Sequence, residues 1–283
     1  MNKFIFSAII SGAIISPVIS HAVDKSSWRS AESIINLSTD PATVGREIAI
    51  ESDKRDTGFG DTETTLTMTL RNASGQESIR EMRTRIFEMT DKSVGDKSLT
   101  VFDRPRDVEG TAFLTFSKIS EPDDQWIYLP DYGRVKRISS KNKSGSFMGS
   151  EFSYEDMSSQ EVEKYTYKYL GEETCPTDTS LQCLKIERTP AYEYSGYTKQ
   201  IAWLDASEFR AQKVDYYDRK GSLLKTLVNK EYTLYLGQFW RPHLMQMVNH
   251  QTQKSTDLIY ASYAFKQGLN EDDFVSSKLK NVR

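Results

Sequence analysis

The chain is built largely from short runs in which apolar and polar residues alternate. In the clearest run, residues 62–71, Leu66, Met68 and Leu70 alternate with threonines. A period of two is typical of a β-strand with one apolar face and one wet face. The segment 72–75 that follows, Asn-Ala-Ser-Gly, is typical of a hairpin turn. Comparable runs and turns recur up to residue 265 and predict about a dozen antiparallel strands with few helices.

A single antiparallel sheet of this size has to curl or close on itself. We therefore predict a mainly β fold, a curled antiparallel sheet covered by a few short helices. Residues 23–283 contain no repeat, no low-complexity segment and no Pro/Gly-rich linker, which predicts one domain. The concave apolar face of such a sheet can be filled by side chains, covered by a helix or occupied by a ligand.

Residues 1–22 have the pattern of a secretory signal. Lys3 is followed by an apolar run over residues 4–15, then Pro17, then the small residues around Ala22. The alternative is a membrane anchor, but this run is too short to span about 30 Å of hydrocarbon. We predict export with cleavage after Ala22. Seven residues separate Cys175 from Cys183, and in an exported chain such a pair is most simply a disulfide.

The sequence contains no pattern typical of an enzyme, a metal site or a nucleic-acid-binding protein. The net charge of −3 provides no basic field for nucleic acid. His243 and His250 are seven residues apart, without a third ligand at metal-binding spacing. The serine in the segment 145–149 is in the wrong position for a nucleophile elbow, and phosphate-binding and dinucleotide-binding motifs are absent from the sequence. We expect no catalytic residue, no metal and no cofactor.

Several short segments carry a family resemblance that extends over residues 48–280. They are Asp-Arg-Pro at 103–105, Gly-Thr-Ala-Phe-Leu at 110–114, Trp-Ile-Tyr-Leu-Pro at 126–130, Arg-Val-Lys-Arg-Ile at 134–138, Gly-Ser-Phe-Met-Gly-Ser at 145–150 and Tyr-Glu-Asp at 154–156. In these segments the chain resembles the LolA-like outer-membrane lipoprotein-sorting proteins. The resemblance implies an open half-barrel closed by helices, with an apolar cavity for acyl chains and without a catalytic residue.

The same resemblance implies a periplasmic carrier. It would pass a lipid or acylated cargo between an inner-membrane RND-type transporter and the outer membrane, with transient membrane contact. The alternative that it leaves open is a non-catalytic interaction or sensor module that regulates a membrane partner, with the cavity filled by the protein's own side chains.

The candidate lipid-binding residues are apolar side chains of the predicted strands. For each of them, plain core packing and cavity lining remain open; a flexible methionine favours the cavity because it adapts to varied chains. The set is Leu66, Met68, Leu70, Val101, Leu114, Phe116, Trp126 and Tyr128.

Two further features are candidates for function. Phe147 and Met148 stand between two glycines, which suggests either a lid or docking loop or a tip that is folded onto the body. Arg134, Lys136 and Arg137 are either ordinary surface charges or a patch for a lipid headgroup or an acidic partner.

Overall fold

The computed structural model describes residues 25–282. The predicted signal, residues 1–22, lies outside the described residues. Two helices, α1 (Ala31–Ile35) and α2 (Pro41–Asp56), come first, and neither is long and apolar enough to cross a membrane. Thirteen strands follow within the described residues. They are β1 (Asp61–Arg71), β2 (Glu77–Phe87), β3 (Lys97–Arg104), β4 (Ala112–Phe116), β5 (Asp124–Leu129), β6 (Arg134–Ile138), β7 (Tyr165–Cys175), β8 (Asp178–Pro190), β9 (Tyr197–Asp205), β10 (Ala211–Asp218), β11 (Leu223–Tyr235), β12 (Phe239–Asn249) and β13 (Ser255–Phe265).

All thirteen strands form one antiparallel sheet in the order β6-β5-β4-β3-β2-β1-β13-β12-β11-β10-β9-β8-β7. The first strand therefore lies in the middle of the sheet, where it pairs with β2 on one side and with β13 on the other. Strands β6 and β7 are the two edges, and they do not pair with each other, so the sheet is a half-barrel rather than a closed barrel. This confirms the predicted fold class.

Both helices pack on the inner, concave face of the sheet. Helix α2 begins at Pro41 because the carboxylate of Asp40 accepts hydrogen bonds from the backbone N–H groups of Ala42 and Thr43, at 3.2 and 3.1 Å. Val44 and Ile48 then join the core of the inner face. Helix α2 lies against edge strand β7, so it covers the concavity next to that edge.

The outer face carries a second apolar cluster under the C-terminal segment. Phe274 and Leu279 of this segment are buried against outward-facing side chains of β3 and β4. The segment consists of two 3₁₀ turns, Glu271–Asp273 and Ser276–Asn281. Asn270 caps the first turn: its backbone N–H donates to the carboxylate of Asp273, and its side chain accepts a hydrogen bond from the Asp272 N–H.

The two cysteines form the predicted disulfide. Cys175 ends β7, and Cys183 lies on the adjacent β8, so the bond joins the two strands of one hairpin. Both residues are buried against Ile201 and Trp203 of β9. The bond therefore crosslinks β7 to β8 at the edge of the sheet that β7 forms.

Candidate functional site

A cavity of about 820 Å³ lies between α2 and the inner face of the half-barrel. Its size falls within the range of roughly 300–1,000 Å³ that small-molecule sites occupy. Ala49 and Ile50 of α2 line one side, and inward-facing residues of β1, β2, β8, β9, β11, β12 and β13 line the other. Residues 158–163, which lead into β7, complete the wall.

The strand register shows that the cavity occupies about one half of the inner face, measured along the strands. Thr64 pairs with Tyr263 of β13 and with Thr84 of β2, and all three side chains line the cavity. The next inward-facing row contains Leu66 and Met82, which are buried core residues. On β1 and β2 the cavity ends before this row, whereas on β12 and β13 it extends further, to Met245 and Tyr260.

The cavity wall is rich in aromatic side chains. Aromatic rings provide large apolar surfaces. The hydroxyl groups of Tyr167, Tyr232 and Tyr263 donate hydrogen bonds to backbone carbonyls of the wall. The aromatic residues that line the cavity are Trp28, Phe59, Tyr167, Phe209, Tyr232, Trp240, Tyr260 and Tyr263. This combination suits a ligand that is apolar over most of its length and carries some polar groups.

Part of the cavity wall is acidic. Asp53, Glu88, Asp96 and Glu161 line it, with Lys92 as a nearby cation 3.4 Å from Glu88. Burial raises the pKa of Asp96 to about 6, although a hydrogen bond from the Met89 backbone opposes the rise. Burial likewise raises the pKa of Glu161 to about 7; Lys164 opposes this rise, and Asp96 adds to it. The cavity thus holds carboxyl groups that titrate near neutral pH.

Some of the other charged groups in the wall are neutralised in pairs. Arg46 of α2 forms an ion pair with Glu163, and Arg241 of β12 forms one with Asp56 at the end of α2. Both pairs connect the helix to the structure around it, so they also hold α2 over the cavity. Arg188 also lines the cavity and donates hydrogen bonds to the side chains of Gln160 and Gln200 rather than to a carboxylate, so the wall carries both signs of charge.

We expect replacement of Glu161 by glutamine to stabilise the protein above pH 7. A carboxyl group whose pKa is raised by folding binds its proton more tightly in the folded state, so stability falls as the pH rises from about 4.5 to about 7. Because solvent screens this partly exposed side chain, we expect a gain of about 1–2 kcal/mol. Urea unfolding at several pH values measures it. The matched change in exposed Glu121 should leave the pH dependence unchanged; a similar effect of both changes would contradict the assignment.

The other half of the inner face is filled by residues 144–157, which we call the plug loop. Its Phe147 is fully buried, with its ring centroid 5.0 Å from that of Phe113 and 6.0 Å from that of Phe102. Tyr154 of the same loop packs edge-on against Phe147 at 5.6 Å. Of the two sequence alternatives, the structure shows the loop tip folded onto the body.

Polar contacts attach the plug loop to the side of the concavity that lies opposite Phe102 and Phe113. The side chain of Thr256 accepts a hydrogen bond from the Glu151 N–H at 3.0 Å, and Asn249 donates to the Glu151 carboxylate at 2.7 Å. Lys225 donates to the Glu151 carbonyl at 2.8 Å and forms an ion pair with Asp156 at 2.6 Å. The loop therefore spans the inner face from β3 and β4 to β11, β12 and β13.

Comparison with known structures places this arrangement in a family. A domain from Vibrio parahaemolyticus that is named as an outer membrane lipoprotein-sorting protein is 51% identical, with a TM-score of 0.81. The match covers 84% of this chain and 99% of that one. The chain belongs to the LolA-like family of outer-membrane lipoprotein-sorting proteins.

Two further structures resemble this LolA-like protein. A DUF1329 family protein from Desulfovibrio piger ATCC 29098 is 31% identical, with coverage of 85% of this chain and 100% of that one and a TM-score of 0.79. A LolA superfamily protein from Nitrosomonas europaea shares the fold at 19% identity, with coverage of 82% and 97% and a TM-score of 0.64. A family profile described as "uncharacterized protein" matches residues 95–281. No curated protein matches the sequence.

The structure separates the predicted lipid-binding residues of this LolA-like protein between the two faces of the sheet. Leu66, Met68 and Leu70 lie on the inner face, but in the core beyond the cavity. The others lie on the outer face, where they pack under the C-terminal segment; they are Val101, Leu114, Phe116, Trp126 and Tyr128. None of the eight residues lines the cavity, and of the two alternatives left open for each of them the structure shows packing in a core cluster. A role for them in lipid binding stays a prediction.

The predicted basic patch is also divided. Arg137 shares the outer face with Trp126, its partner across the strands, and forms an ion pair with Asp124. Arg134 and Lys136 point to the other side of the same edge strand. None of the three basic residues lines the cavity, so a role in contact with a headgroup or a partner stays a prediction.

The two histidines are not close to a set of metal ligands. His243 shares hydrogen bonds with the Tyr235 hydroxyl and the Tyr260 carbonyl, each at 2.8 Å. His250 bonds to the hydroxyl of Thr226. Residues 25–282 contain no group of three or more histidine, cysteine, aspartate or glutamate side chains that could hold a metal ion.

Proposed function

We propose that this protein is a periplasmic carrier that binds a lipid or the acyl chains of an acylated protein in the cavity under α2. The observation that carries the proposal is the 820 Å³ cavity with aromatic walls inside an open half-barrel. Each methylene group that is buried contributes about 0.8 kcal/mol, so an acyl chain binds tightly without a specific polar contact. Such a carrier works by binding and release and requires no covalent chemistry.

The compartment is part of the proposal. The disulfide between Cys175 and Cys183 fits an oxidising environment such as the periplasm, and residues 1–22 have the pattern of an export signal. The name of the Vibrio relative supports a role in lipoprotein sorting. We further propose an inner-membrane RND-type transporter as the donor, an idea that rests on the family resemblance of the sequence.

Native mass spectrometry of the mature protein, purified from a periplasm, tests the carrier function. We expect a bound lipid that organic extraction releases and identifies. Ala49 lines the cavity from α2, so Ala49→Trp should fill part of the cavity and reduce the bound fraction at least tenfold. The matched control is Ala73→Trp in the exposed hairpin between β1 and β2, which should retain the lipid.

A protein that is free of lipid after purification and takes up none when lipid is added would contradict the carrier function. The alternative is then an interaction or sensor module. One observation favours it: the plug loop already fills half of the concave face with the protein's own side chains. In that case affinity capture with the mature protein should recover a membrane partner.

A further inference from the structure

Arg188 differs from the other cations of the cavity wall because it has no carboxylate partner. Within residues 25–282, six cationic side chains line the cavity. Five of them form ion pairs: Arg46 with Glu163, Arg55 with Glu51, Lys92 with Glu88, Arg210 with Asp205, and Arg241 with Asp56. The sixth is Arg188, and no carboxylate of the described residues lies within ion-pair distance of it. The charge of Arg188 is therefore available to a ligand.

Two amide side chains hold the guanidinium group of Arg188 in place. Gln200 lies directly opposite Arg188 on β9 and accepts a hydrogen bond from its Nε at 2.7 Å, and Gln160 accepts one from Nη1. Gln200 is itself buried, so this anchor is fixed. An arginine has five N–H groups, and these two bonds use two of them, which leaves three without an acceptor among residues 25–282. The amides thus orient the guanidinium group without neutralising it.

The strand register places this charge at one end of an apolar strip. Ile186 and Ala202 form the next inward-facing pair along β8 and β9, and both line the cavity. Leu204, two residues further along β9, lines it as well. On the other side, Tyr167 of β7 lies opposite Arg188 and also lines the cavity. This part of the wall offers a fixed cation followed by apolar surface, which complements an acyl chain with an anionic group at its head.

We infer that Arg188 binds an anionic group at the head of the cargo, so that the cavity selects anionic amphiphiles. The planar guanidinium fork of arginine matches the paired oxygens of a phosphate or a carboxylate. The inference rests on the proposed carrier function and names the class of cargo for the same cavity. Arg188 would bind the head while Ile186, Ala202 and Leu204 contact the chain.

Two matched pairs of probes test the inference. Lauroyl lysophosphatidic acid and monolauroylglycerol differ by a phosphate group, and laurate and methyl laurate differ by the charge of the carboxylate. The measurement is the dissociation constant of each probe for the mature protein. We expect the anionic member of at least one pair to bind about 10–100-fold more tightly, the range for a hydrogen bond to a charged group. A preference in the first pair alone identifies a phosphate headgroup, and one in the second pair alone identifies a fatty-acid carboxylate.

Arg188→Gln should abolish this preference and leave the affinity for the neutral probes unchanged. The matched control is Arg219→Gln, which deletes the same charge at an exposed position that does not line the cavity. Arg219→Gln should retain the preference of the wild type. Thermal melts verify that both variants are folded.

The comparison of probes on the wild-type protein is decisive without any variant. Equal affinity for both members of each pair would overturn the role of Arg188 while leaving the carrier function intact. A preference for the anion that persists in folded Arg188→Gln would also overturn it. Failure of folded wild-type protein to bind any of the four probes would instead overturn the carrier function and this inference with it.

Discussion

Replacement of Lys225 by methionine should lower the free energy of unfolding by about 3–5 kcal/mol. The side chains of Lys225 and Asp156 are only 4% and 6% exposed, and their ion pair measures 2.6 Å. Removing the ammonium group leaves the carboxylate of Asp156 buried without a cation. The Glu151 carbonyl loses its hydrogen bond to the same ammonium group. Urea unfolding monitored by tryptophan fluorescence measures the loss.

The effect should be specific to the buried pair. The double variant Lys225→Met with Asp156→Asn should recover part of the loss, because it removes the uncompensated charge. The surface pair between Arg85 and Glu63, with both side chains 38% exposed, is the control, and Arg85→Met should cost less than about 1 kcal/mol. Hydrogen exchange should increase in the plug loop of Lys225→Met. Equal losses for Lys225→Met and Arg85→Met would contradict the proposed role of this ion pair.

Replacement of Gly45 by valine should cost about 3 kcal/mol of stability and displace α2 from the sheet. A Cβ atom at this position would lie 2.8 Å from the backbone nitrogen of Tyr169 and 2.9 Å from the backbone carbon of Lys168. Both are backbone atoms of β7, so no side chain can move aside to make room. The helix would have to lift, and Val44 and Ile48 would lose their contacts with the inner face.

Ala42→Val is the control for Gly45→Val, because it places the same β-branched side chain on an exposed turn of α2. This control should lower the free energy of unfolding by less than about 1 kcal/mol, because valine has only a lower helix propensity than alanine. Thermal or urea unfolding compares the two variants, and binding of a lysophosphatidylethanolamine probe reports whether the cavity under α2 changes. Equal losses of stability in the two variants would show that the close packing of α2 on β7 does not restrict the size of the side chain at position 45.

The strands, the disulfide and the family were predictable from the sequence alone. Alternation of apolar and polar residues is a local property of the chain, and a run such as Leu66, Met68 and Leu70 identifies a strand with one buried face wherever it lies. Turn residues fix the ends of the strands in the same local way. The short spacing of Cys175 and Cys183, on a chain predicted to be exported, was similarly sufficient to predict their bond.

The position of the cavity depends on contacts between distant parts of the chain. Alternation shows that Trp126 and Tyr128 share one face of β5, but it does not show that this face is the convex one. The apolar face of β1 was the obvious candidate for a lipid site, yet the plug loop covers its Leu66 and Met68. The same strand lines the cavity with Thr62 and Thr64, which have no apolar signal in the sequence.

Local patterns are enough to specify a curled antiparallel sheet with a concave apolar face, because period-two alternation and turn chemistry act over a few residues. Which part of that face remains open depends instead on how distant segments pack. Helix α2 comes before the strands and the plug loop comes from between β6 and β7, and both fold back over the inner face. Where Phe147 packs, the concavity is filled, and where α2 spans it without filling it, the cavity remains. That division follows from packing between segments far apart in sequence, which local patterns do not encode.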